Sequence, residues 1–217
     1  MPRQIDQNTY HEQFRAHAET ALEKALDIRK FEIDLYWKRA TYFWLLNGAA
    51  FVGYITAANN KPSHDDLLVM ISCIGLVLSF AWYLVNRGSR QWQDNWESHV
   101  DMLEDCVTGP LYKTVLRAPE TAGVMKRLLS GAGQFSVSKI NIIVSAFAVV
   151  IWLILIIRAM IPLDAKIPLS YLLPLVVSLL AIITMLAWGK TSESDNIGLK
   201  ATLRTTTISS VPPDITS

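Results

Sequence analysis

Cysteine is nearly absent: Cys73 lies in an apolar run and Cys106 sits beside Asp105 in a polar stretch. Neither has a Cys or His neighbour at ligand spacing, and the two sit in different surroundings. This excludes a disulfide framework or zinc site and makes both structural thiols. Charge is sparse too. Asp, Glu, Lys and Arg are 18% of 217 residues, against roughly 25% in soluble domains. A net charge of +1 gives no footing for nucleic acid or acidic substrates. The first 39 residues lack the apolar core and small-residue cleavage site of a signal peptide. The first apolar run is therefore expected to act as an uncleaved signal-anchor.

Catalytic signatures are also missing. There is no glycine-rich phosphate loop and no metal quartet. The histidines are His11, His17, His64 and His99. His11 and His17 fall on different faces of a helix, and His64-Asp65-Asp66 is a solvated turn. Glu97, Asp101 and Glu104 share one helical face, which reads as a solvated face rather than an acid–base pair. The expectation is a non-enzymatic protein with no cofactor and no metal.

What the chain has is apolar length. Residues 40–58, 67–85, 140–157 and 171–188 form four runs of 18 or 19 residues without Asp, Glu, Lys, Arg or His. At ~1.5 Å per residue each reaches across most of a hydrocarbon core of ~30 Å. A buried soluble helix would show a polar face, and INIIVSAFAVVIWLILII shows almost none. Lys and Arg give the orientation: 17 fall in the N-terminal segment, the central segment and the tail, and 3 in the two short connections. Lys and Arg mark the cytoplasmic side, so both termini are expected inside. Trp37, Trp82, Tyr83 and Trp188 lie near that interface. No ionisable group lies at membrane depth, which argues against a coupled transporter.

The cytoplasmic parts are 1–39, 86–139 and 189–217. Residues 8–39 read as an amphipathic helix running straight into the first span, with Phe14, Ala18, Ala21, Ala25 and Ile28 along one seam. Trp92, Trp96, Val100, Leu103 and Val107 recur at three to four residues and make an apolar stripe, expected together with the Phe14–Ile28 seam at subunit contacts. Leu78, Val85 and Trp92 are seven apart, so the stripe is expected to continue a face of the second span in one helix through Gly88-Ser89 to about Val107. The alternative is a break at Gly88-Ser89. Gly109-Pro110 ends the helix. Pro119-Glu120-Thr121 reads as a helix start and 130–133 as a flexible break. Ser136 or Ser138 caps the third span. The tail, with 11 Ser or Thr among its 28 residues from Lys190 onward, reads as solvated, with some β-propensity in LRTTTI.

Inside the spans, small residues recur in rows: Ala49, Gly53 and Ala57; Ser72, Gly75 and Ser79; Asn141, Ser145 and Ala148. Such rows let helices approach closely in lipid, within one subunit or between subunits. In the second case Thr41, Asn47 or Asn141 would face a central pore.

Several short stretches have a familial look. Trp82-Tyr83-Leu84-Val85-Asn86-Arg87-Gly88-Ser89, the Trp92, Trp96, His99 spacing, Gly109-Pro110-Leu111-Tyr112-Lys113 and Ser136-Val137-Ser138-Lys139-Ile140-Asn141 resemble the RipA family of octameric bacterial membrane proteins. The resemblance spans about residues 37–157. It implies a bacterial cytoplasmic-membrane protein, a homo-octamer, with an envelope or host-adaptation role, and supplies no active site. The expected architecture is all-α: four spans, cytoplasmic helical extensions and a ring-like homo-oligomer. Its partners are the lipid bilayer, further copies of itself and a cytoplasmic protein, with a gated membrane pore as the alternative role.

Overall fold

The computed structural model describes residues 3–59, 65–116, 135–161, 168–190 and 201–203. The expected helix start at 119–121 and the break at 130–133 lie outside them, as does most of the tail. A short strand β1 (Arg3–Ile5) precedes α1 (Gln7–Phe14), capped by Asp6, whose carboxylate accepts the Thr9 N–H at 2.8 Å. A 3-10 turn over Arg15–His17 leads into α2 (Ala18–Asn59). Then come α3 (Asp65–Leu103) with a 3-10 end (Glu104–Cys106), α4 (Val137–Met160), α5 (Leu169–Trp188) and strand β2 (Ala201–Leu203). The all-helical expectation holds except for one antiparallel pair, in which Gln4 sits opposite Thr202.

Two helices dominate. α2 has 42 residues and α3 has 39, so each runs about 60 Å at ~1.5 Å per residue, twice a hydrocarbon core. No proline interrupts either one. The polar residues inside α2 return their hydrogen bonds to the preceding turn: Thr41 Oγ1 donates to Trp37 O, Asn47 Nδ2 to Phe43 O and Thr56 Oγ1 to Val52 O. The amphipathic helix expected over 8–39 does run into the first apolar stretch, but breaks at Arg15–His17. α3 is continuous through Gly88-Ser89, as expected. It gives up its α form at Leu103, four residues early. There the Glu104 carboxylate turns to accept the backbone N–H groups of Tyr112 (2.6 Å) and Lys113 (3.1 Å). Gly109, at φ 72°, makes the reversal that only glycine adopts freely.

α3 is the central element, packing on α2, α4 and α5. α2 lies antiparallel to it along most of its length. The pairing is marked by Arg29–Glu97 (3.2 Å), Arg39 donating to Ser89 (3.2 Å), Ser79 donating to Asn47 (2.5 Å) and Gly53 against Ile71 (3.8 Å). Ser136 caps α4. Among the described residues three helices are long and apolar enough to cross a membrane: α3, α4 and α5. The first apolar stretch, inside α2, is helical, but its tyrosines, tryptophan, Thr41, Asn47 and Thr56 dilute its hydropathy.

Candidate functional site

The feature that organises the protomer is a seam on α3 that recurs every seven residues: Ser72, Ser79, Asn86, Gln93 and Val100. All five are buried, Ser72 and Ser79 at 0% exposure. A seven-residue repeat keeps one face of a helix toward its partner. Here the first four members are polar, and each finds hydrogen-bond partners.

Asn47 of α2 is one node. Its side-chain oxygen accepts from Ser79 Oγ at 2.5 Å and from Trp152 Nε1 at 3.1 Å, so a single amide ties α2, α3 and α4 together. Trp152 is 0% exposed, stacked on Phe51 at 4.3 Å between centroids. It fits because α3 offers Gly75 at that level: a Cβ there would overlap the indole. The Ser72–Gly75–Ser79 row is therefore the slot for a tryptophan within the subunit.

Asn86 and Asn141 make a second node, two turns of α3 nearer the charged residues. Asn141 Nδ2 donates to Asn86 Oδ1 (3.3 Å) and to the Tyr36 hydroxyl (2.8 Å). Asn86 Nδ2 donates in return to the Asn141 backbone carbonyl and to Ser145 Oγ, both at 3.3 Å. Beyond them Ser138 donates to Gln93 (3.3 Å), and Arg90 joins Asp94 (3.0 Å) to Ser136 (2.9 Å). Both amides are neutral and satisfied. The arrangement fixes helix register and offers no proton carrier at membrane depth.

Past Gln93 the seam turns apolar. Val100 and Leu103 pack with Leu22 and Ala25 of α2 and Tyr10 of α1. Phe14, Ala21 and Trp96 are half-buried around them. Tyr10 O–H meets His99 Nδ1 at 2.7 Å, and the imidazole lies between the Tyr10 and Trp96 rings. Burial lowers the His99 pKa below its ordinary 6.5 and pushes Tyr10 up to about 12.

The sequence-derived candidates divide accordingly. Ala25, Val100 and Leu103 are buried; Phe14, Ala18, Ala21, Ile28 and Trp96 are half-buried; Trp92 (50% exposed) and Val107 (37%) lie open. Within the single chain, α1 and α2 thus cover the middle of the stripe expected at a subunit contact, from Trp96 to Leu103, and leave both its ends open. Its expected continuation through Leu78, Val85 and Trp92 is not the buried face of α3, which runs through Ser79, Asn86 and Gln93. Of the pore-lining candidates, Asn47 and Asn141 point into the protomer at 5% exposure each, and Thr41 alone is exposed. In the small-residue rows Ser72, Gly75, Ser79, Asn141 and Ser145 pack inside the subunit. Gly53, Ala57 and Ala148 are half-buried, and Ala49 faces out.

Tyr10, Leu22, Tyr36, Gln93 and Trp152 escaped the sequence reading, although the polar seven-residue recurrence was there to be read. Both cysteines are free, Cys73 buried in a groove that Ser178 of α5 also lines, Cys106 exposed. This groove, of about 770 Å³, opens between α3 and α5 toward Met70, Ile74 and Val177. Among the described residues no group of three His, Cys, Asp or Glu gathers to hold a metal.

Helices α2, α3 and α4, bound by amides, hydroxyls and a glycine slot, carry the signature of packing in lipid, and the comparison with known families agrees. The chain belongs to the octameric membrane protein family (8xMP), which matches residues 19–162. No curated protein and no solved structure matches it. The 8xMP match begins in the first turn of α2 and ends just beyond α4, so it contains the three helices that share the seam. α1 and α5 lie outside it.

Proposed function

We propose that the chain is the protomer of a homo-octameric membrane assembly, non-enzymatic, that crosses the membrane four times and presents a helical platform in the cytoplasm. The observation that carries this is the antiparallel register of α2 on α3. Asn47 lies level with Ser79 and Gly53 level with Ile71. If α3 crosses the bilayer near residues 67–85, then 40–58 of α2 occupies the same depth and is the fourth span. The β1–β2 pair supports the same count. Strands on one side of the membrane at both ends of the chain require an even number of crossings.

On this reading α2 and α3 both continue about 30 Å beyond the bilayer at ~1.5 Å per residue. The excess of Lys and Arg on that side makes it the cytoplasm. The eight-fold assembly follows the family's description. The bacterial cytoplasmic membrane and an envelope or host-adaptation role follow the RipA resemblance. A gated pore is the weaker reading, since two of its three candidate lining residues are committed to hydrogen bonds inside the protomer. The test is the mass of the detergent-solubilised particle by native mass spectrometry. Eight chains of 24.3 kDa are expected, and a monomer would overturn the assembly.

A further inference from the structure

α1 is the least integrated helix of the protomer and covers its most apolar water-side surface. It is eight residues long and joined to α2 by the Arg15–His17 turn, in which no residue is buried. A short 3-10 stretch between two helices often marks a hinge. On its inner side one residue, Tyr10, is buried at 4% exposure, over Trp96, Val100 and Leu103. The single polar link there is the Tyr10–His99 hydrogen bond. Just above this surface Trp92 lies half-exposed on the same side of α3.

We propose that α1 is an acid-released cover: protonation of His99 undocks it about the Arg15–His17 hinge and bares the Trp96–Leu103 stripe next to Trp92. The docked arrangement suits neutral imidazole. Tyr10 O–H and His99 Nδ1 meet at 2.7 Å with the Tyr10 ring against the imidazole, so docking strips away water that an imidazolium would keep once α1 is released. From α1, His99 faces Tyr10, with His11 beyond it at 6.0 Å between the Tyr10 and His11 rings. From α2 the charged group in contact with this part of α3 is Arg29, already paired with Glu97. The flanking carboxylates on α3 itself are Glu97 and Asp101. Burial holds the docked imidazole below its ordinary pKa of 6.5. The docked state therefore binds fewer protons than the released one, so docking is complete above pH 6.5 and weakens as pH falls below it.

Hydrogen exchange of the Tyr10–Phe14 amides in the full-length, detergent-solubilised protein tests this. Protection factors, which correct for the intrinsic rate, are compared at pH 7.5 and pH 5.5. Wild type should lose protection at the lower pH, whereas His99→Gln should show equal protection at both. His11→Gln and His17→Gln should keep the wild-type loss. Tyr10→Phe, which retains the ring, should lower protection at both pH values and still respond to acid. Equal protection in wild type at the two pH values, or a loss that survives in His99→Gln, would overturn the proposal.

Discussion

In its membrane half α3 buries Ser72, Gly75, Ser79 and Asn86; in its water half the same face buries Val100 and Leu103. One helix keeps one seam and inverts its composition, because its solvent changes. In water, removing apolar surface stabilises by roughly 25 cal/mol per Å², so the buried face is apolar. Lipid tails are as apolar as leucine, and that driving force vanishes. What then holds helices together is close approach and hydrogen bonds that lipid cannot replace. Ile74 of α3 and Ile143 of α4 can accordingly stay 50% and 67% exposed without penalty: their solvent is hydrocarbon.

Substitutions sharpen this contrast, measured as chemical or thermal unfolding in one detergent. The largest effect is expected at the slot. Trp152→Ala should lose about 3–5 kcal/mol as a large core truncation, and Gly75→Leu should approach it by driving the indole out. On the water side Leu103→Ala should destabilise by about 2–5 kcal/mol. At the membrane amide node, Asn47→Leu adds apolar surface yet should still destabilise, by about 1–2 kcal/mol, because Ser79 O–H and Trp152 N–H lose their acceptor. Adding Ser79→Ala should return part of that loss. The smallest effect is expected at Ile74→Ala, under about 0.5 kcal/mol, in line with exposed positions generally. If Ile74→Ala proved as damaging as Leu103→Ala, α3 would have the same kind of buried face in both media.

The same contrast explains what the sequence disclosed. Helix extents, the continuity at Gly88-Ser89, the Ser136 cap and the apolar runs of α3, α4 and α5 follow from local rules, which are blind to solvent. The Trp96–Leu103 part of the stripe was legible because it lies in water, where apolar residues mark burial. Extending it to Val85 and Leu78 carried that rule into lipid, where it reverses, and the phase of the buried face was misplaced. Asn47 and Asn141, expected at a pore only if the small-residue rows pack between subunits, each find a hydroxyl, amide or indole partner within the chain. Coverage of the stripe by α1 depended on the 3-10 turn at Arg15–His17, which no glycine or proline announces.

The central claim is that α3 keeps one buried seam across both media. The direct test is a spin-label scan of α3 from 67 to 103, reading access of oxygen and of a water-soluble nickel chelate. The account predicts minima in access to both at 72, 79, 86, 93 and 100, with oxygen access high at 70 and 74. Minima at 78, 85 and 92 combined with high access at 79 and 86 would contradict it.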